Sequence, residues 1–208
     1  SEVTTNPPPS YDTVPLPIAI DNKCYKVLLR NGKYDQDLSH LPPGVEISCR
    51  QTAPADSSQE YFEQLNQLTA PFEVEINIPS NLKIKTPLYL LNQLSISPST
   101  LIQPRVKIVV GEGSKLAIHE LHYTESQNNI AGYSNSLTKI TAGNNSKVEH
   151  LLSQLTNSKF HSLTKVVAKL GANATLNSYL CSLGGEVAIT QLDAKLSEEG
   201  AYLGSYAL

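Results

Sequence analysis

A turn that recurs four times in the second half of the chain constrains the fold more than any other feature. Residues 110–116, 142–148, 170–176 and 196–203 each run from an apolar strand end through small or polar residues to another apolar position that opens a strand. The opening residues Leu116, Val148, Leu176 and Leu203 lie 32, 28 and 27 residues apart, and the last turn carries one extra residue. Ala168-Lys169-Leu170 even recurs as Ala194-Lys195-Leu196. Periods of about 20–50 residues indicate stacked units. The stretches between the turns carry no helical period, so each unit is a coil of strands that buries its apolar face only against its neighbours. A parallel β-helix satisfies this pattern, with the four opening residues in one interior column. An antiparallel sandwich is its rival, because each turn could also close a hairpin.

Upstream the texture differs. Residues 1–23 contain Pro7-Pro8-Pro9, Pro15 and Pro17, and so read as an extended tail. Residues 24–86 form a lead-in segment of short strands with one helix. Residues 24–30 are a strand, Asn31-Gly32 suits a hairpin turn, and residues 34–38 continue after it. Residues 41–45 are a loop that runs into another extended stretch. The spacing predicts a helix over about 57–69, capped by Ser57 or Ser58, with Tyr61 or Phe62, Leu65 and Leu68 on its apolar face. Phe72, Val74, Ile76 and Ile78 then alternate with Glu73, Glu75 and Asn77, the period of a half-buried strand. The stacked coils occupy residues 87–208. The chain contains no Met and stops in a strand-like run, so it reads as part of a longer protein cut between coils. An uncovered strand edge of that kind favours self-association.

Composition narrows the function. A net charge of −3 with 17% charged residues disfavours nucleic-acid binding by bulk electrostatics. No run reaches the roughly 18 apolar residues of a membrane-spanning helix. Cys24, Cys49 and Cys181 are odd in number and form no CxxC pair, which points to free thiols in a reducing compartment rather than disulfides or a zinc site. Gly111-Glu112-Gly113-Ser114-Lys115 lacks the order of a phosphate loop and is a repeat corner. His119 and His122 have opposite parity on a strand, so they point to opposite sides and make no metal pair. His150 shares the inward face of Val148, in a column with Ile118, Ser178 and Ser205, as a hydrogen-bonded core histidine. Glu120, Glu125 and Glu149 fall in different columns and give no paired carboxylates of the glycosidase kind. No catalytic, cofactor-binding or metal-ligating residue is singled out, and the chain reads as a non-enzyme.

Residues 87–91, residues 104–116 and Glu120 resemble the core of the SufB/SufD family of iron–sulfur cluster assembly proteins. Asn145-Ser146-Lys147-Val148-Glu149-His150 and residues 180–185 resemble it too. Residues 32–39, Leu41-Pro42-Pro43-Gly44-Val45 and Leu65-Asn66-Gln67-Leu68 are closer to SufD, and the Cys-rich motif expected near the start of SufB is not seen. The similarity covers about residues 24–208. It implies a right-handed parallel β-helix and a cytoplasmic, non-catalytic scaffold that pairs with a SufB-like subunit and a SufC-like ATPase, mostly through regions beyond Leu208. An iron–sulfur cluster, and a reduced flavin, would belong to the assembled complex rather than to this chain. No cluster ligand carries over, and Cys181 is expected as an inward-facing structural thiol. Two alternatives stand beside this reading. A carbohydrate-active β-helix enzyme would need a groove of acidic and aromatic residues, and a surface adhesin coil domain would need export.

Overall fold

A computed structural model describes residues 24–51, 61–95, 101–124 and 131–208. The first hairpin joins β1 (Tyr25–Arg30) to β2 (Lys33–His40), and Asn31 (φ 49°) and Gly32 (φ 82°) supply the left-handed pair that its turn needs. β3 (Glu46–Gln51) pairs antiparallel with β4 (Phe72–Ile78), which follows the helix α1 (Tyr61–Thr69). In β4, Val74, Ile76 and Ile78 are buried, as their alternation predicts, while Phe72 is exposed.

From β4 onward the chain winds. β5 (Leu88–Leu94) is followed by the short β6 (Leu101–Ile102), then by β7 (Arg105–Val110), β8 (Lys115–Thr124) and β9 (Gly132–Ala142). After these come β10 (Lys147–Leu155), β11 (Phe160–Leu170), β12 (Thr175–Ser182), β13 (Val187–Lys195) and β14 (Tyr202–Ala207). Sheet one has the order β14-β12-β10-β8-β5-β1-β2, and sheet two β13-β11-β9-β7-β4-β3, with β6 beside β9. From β7 onward successive strands therefore alternate between the sheets. Every pairing from β5 to β14 is parallel, which decides for a parallel β-solenoid of about four turns and against the sandwich.

The repeat seen in the sequence is a physical column. Leu116 pairs with Val148, Val148 with Leu176, and Leu176 with Leu203. Across the interior Ile76, Ile108, Ile140 and Ala168 form a second column. Burying a Leu or Val side chain contributes about 1.5–3 kcal/mol, so the stack stabilises coils that could not stand singly. Each corner closes through a left-handed residue three positions before the opening one: Gly113 (φ 66°), Asn145 (φ 58°), Asn173 (φ 55°) and Gly200 (φ 69°). Only Gly and Asn enter that region readily. The first corner glycines answer a different need, close approach of one coil to the next. A Cβ on Gly143 would sit 2.8 Å from the carbonyl oxygen of Val110 on the coil before it.

The helix forms where its spacing predicts, but it buries another face. Tyr61 and Leu68 are 73% and 66% exposed, whereas Glu63 and Asn66 are buried, together with Ala70 just beyond the helix. The reason is polar. Asn66 Nδ2 donates to the carbonyl oxygens of Asn135 (2.6 Å) and Pro104 (3.2 Å), Asn135 Nδ2 donates to the Phe62 carbonyl (3.0 Å), and Glu63 meets Lys139 at 2.6 Å. These bonds seat the helix on the outer face of sheet two, and hydrophobic spacing does not record them. Ser57 and Ser58, like residues 1–23, lie outside the described residues.

Candidate functional site

In β8 the inward parity set by Leu116 continues through Ile118 to Glu120 and His122. The interior therefore changes character along a single strand, from apolar at the corner to polar at its far end. On the facing strands Ser134, Ser136, Thr138, Ser162 and Thr164 are buried, and in sheet one so are Asn92, His150 and Gln154. Register stacks Asn92, His122, Gln154 and Ser182 in one row.

Glu120 is the centre of this region and is 1% exposed. Its Oε1 accepts from His122 Nε2 at 2.7 Å and from Thr138 Oγ1 at 2.7 Å, and its Oε2 accepts from His150 Nε2 at 3.1 Å. Asn92 Nδ2 lies 3.1 Å from His122 Nε2, and Ser136 Oγ lies 3.4 Å from its Nδ1. His150 Nδ1 meets Ser178 Oγ at 3.1 Å. Farther along, Gln154 Nε2 donates to Thr164 Oγ1 (2.9 Å), and Ser182 Oγ donates to Gln154 Oε1 (3.0 Å). One carboxylate thus bridges imidazoles from two successive coils and a hydroxyl from the opposite sheet.

Burial opposes ionisation of Glu120. The hydrogen bonds from His122 and His150, with the attraction of the same two rings, outweigh it and hold the carboxyl well below the usual range. An ionised carboxylate only accepts, so both imidazoles present Nε2–H to it, which leaves Nδ1 to the hydroxyls of Ser136 and Ser178. Such a cluster can hold a proton or a fixed charge. Its donors are already turned on one another, and among the described residues no group of three or more His, Cys, Asp or Glu side chains is arranged to hold a metal ion.

The sequence placed some of these residues and misplaced others. His119 and His122 do point to opposite sides: His119 lies outside in an edge-on contact with Tyr89 at 5.2 Å, and His122 lies inside. His150 is a hydrogen-bonded core histidine in register with Ile118 and Ser178, and Ser178 with Ser205. Glu120 and Glu149 do fall in different columns, but the link from Glu120 to the two histidines was not foreseen. Glu120 shares the parity of Ile118 and His122, and the offset between Leu116 and Val148 brings His150 to the neighbouring pair; that combination was the available signal. Glu149 is on the outer face, where Asn177 Nδ2 donates to it at 2.9 Å, and Glu125 lies outside the described residues. Cys181 corrects another expectation. It pairs with Ser153, itself paired with Leu121, in the row that faces away from the core, because Leu180 and Ser182 take the inward positions. Cys24 is half-buried and Cys49 exposed.

The family comparison falls on this same stack. The sequence model of a family described as "SUF system FeS cluster assembly, SufBD core domain" matches residues 93–208. An iron–sulfur cluster assembly SufBD family protein of Synechocystis sp. is 26% identical over 148 residues, which make up 67% of this chain and 32% of that relative. The chain therefore spans about a third of the length of the curated relative that it matches. Since the family match covers more than half of the sequence and coincides with the in-register coils around Glu120, the chain belongs to the SufBD core-domain family of the SUF iron–sulfur cluster assembly system.

Proposed function

We propose that the chain is the solenoid core of a SufD-like subunit, a non-catalytic scaffold in the cytoplasm that works by association with a SufB-like subunit and a SufC-like ATPase. The observation that carries the reading is the family match over residues 93–208, the part of the chain in which β7 to β14 stack without a break in register. A rigid stack suits a scaffold, because it fixes the spacing of whatever binds it. The polar interior is consistent with that role. Its carboxylate, both imidazoles and the Thr138 hydroxyl are bonded to one another rather than aimed into an open cleft. Resemblance of residues 32–39, 41–45 and 65–68 to SufD, rather than SufB, supports the finer assignment.

The cluster is cargo of the assembled complex in this reading, and reduced flavin enters there too. No helix among the described residues is long and apolar enough to cross a membrane.

Co-purification of the full-length parent protein with SufB and SufC from the same source tests the proposal. A stable ternary complex is the expected result. Failure to associate under conditions in which SufB binds SufC would overturn it.

A further inference from the structure

The outer faces of the two sheets treat charge differently. On sheet two most basic side chains meet an acid: Arg105 with Glu73 at 2.7 Å, Lys107 with Glu75 at 2.9 Å, and Lys165 with Asp193 at 2.7 Å. Lys139 is neutralised by Glu63, which is supplied from above by helix α1. On sheet one Lys83 is bridged to Lys115, and Lys115 is paired with Lys147, so three lysines stack on three successive coils. All three are exposed, as is Lys85 beside them, and none of the four is ion-paired to a described residue. Like charges directly opposite one another on neighbouring strands are destabilising. Sheet two has one such unneutralised pair, Lys169 opposite Lys195, whereas on sheet one the stack runs over three coils.

We infer that this lysine column is a docking surface for an acidic helix of a partner protein. Spacing favours a helix laid along the solenoid axis, across the strands. Neighbouring strands lie about 4.8 Å apart, so the column spans about 9.6 Å. Residues i, i+3 or i+4, and i+7 share one helix face, and at about 1.5 Å per residue the outer two lie about 10.5 Å apart. Three glutamates at those positions match three lysine rungs. The molecule already contains this contact once, where Glu63 of α1 reaches Lys139 on the outer face of sheet two.

A groove of about 370 Å³ runs beside the column and gives the helix a floor. Ile84 and Ala117 line it with apolar surface between Lys85, Lys115 and Lys147. Its single carboxylate, Glu149, accepts from Asn177 and sits among the lysines. That fixed negative charge and the net charge of −3 disfavour a uniform polyanion such as nucleic acid. A helix can instead place a lysine or glutamine opposite Glu149. The inference goes beyond the scaffold reading and does not depend on which SUF subunit the chain is.

The test uses the whole chain and a labelled synthetic helical peptide with Glu at i, i+4 and i+7, read by fluorescence anisotropy at low salt. Saturable binding that weakens with added salt is expected. Replacing the three glutamates by glutamine, or making the K115E/K147E variant of the protein, should each weaken binding about tenfold. The variant should then bind a peptide with lysines at those positions, a swap that a misfolded protein would not produce. Equal binding of the Glu and Gln peptides, unchanged binding by K115E/K147E, or tighter binding of a single-stranded oligonucleotide than of the Glu peptide would each overturn the inference.

Discussion

At the corner end of the coils Leu116, Val148 and Leu176 stack in register within the apolar cluster of the interior. A few residues farther along the same strands, Glu120, His122, His150 and Gln154 occupy the same interior. Both regions are built by one rule, parallel register with inward parity, yet they stabilise by different means. The apolar column gains from each buried methyl group nearly independently, and a lost group costs its own burial and a cavity. The polar end depends on mutual satisfaction, so loss of one member strands the others. It also fixes register more narrowly, because a slip between coils would separate Glu120 from His150.

The largest expected difference follows from Glu120→Ala. It leaves two imidazoles and a hydroxyl buried without their acceptor, and should cost about 3–5 kcal/mol, read as a fall in the urea midpoint. Acid sharpens the same contrast. A carboxyl whose folded pKa is depressed contributes stability above its unfolded value, and that stability is lost as pH falls below it. The wild-type chain should therefore lose stability as pH drops through 4.5, the ordinary glutamate value, toward the lower folded one. Glu120→Ala should flatten this profile without abolishing it. Glu73, where Arg50 and Arg105 outweigh burial, and Glu75, bonded by Lys107, are lowered too and remain. An unchanged slope between pH 6 and 3 in the variant would count against Glu120 as the main acid-sensitive group.

Leu176→Ala at the apolar end should cost somewhat less, about 3 kcal/mol, and should leave the pH profile as it was. Thr138→Val removes one donor to the carboxylate while keeping the volume, and should cost about 2 kcal/mol in the same urea titration. If Thr138→Val proves neutral, the hydroxyl does not contribute to holding the Glu120 charge.

The two regions also differ in how far the sequence exposed them. The apolar column was legible because four equivalent turns repeat, and a stack of identical environments leaves a periodic trace. The Asn31-Gly32 hairpin was legible through turn chemistry alone. His150 was placed in its column with Ile118 and Ser178. The link from His150 to Glu120 was missed because it runs diagonally between coils, and parity within one strand says nothing of which neighbour is reached. The docked face of α1 was misread for a related reason. Asn66 and Glu63 are held by carbonyls and a lysine distant in sequence, and these outweigh the apolar spacing of Tyr61 and Leu68. Cys181 was assigned inward by its motif, whereas parity with Leu176 and Ser178 already turns it outward.

The central claim is that the carboxylate bridge between coils acts as one unit, and a double-mutant cycle on Glu120→Ala and His150→Ala tests it most directly. Urea unfolding of the wild type, both single variants and the double variant at pH 7 supplies the four free energies. The bridge predicts that the double variant is destabilised by about 2 kcal/mol less than the two single effects added together. Additivity to within about 0.5 kcal/mol would show that the two residues act separately, and would contradict the account.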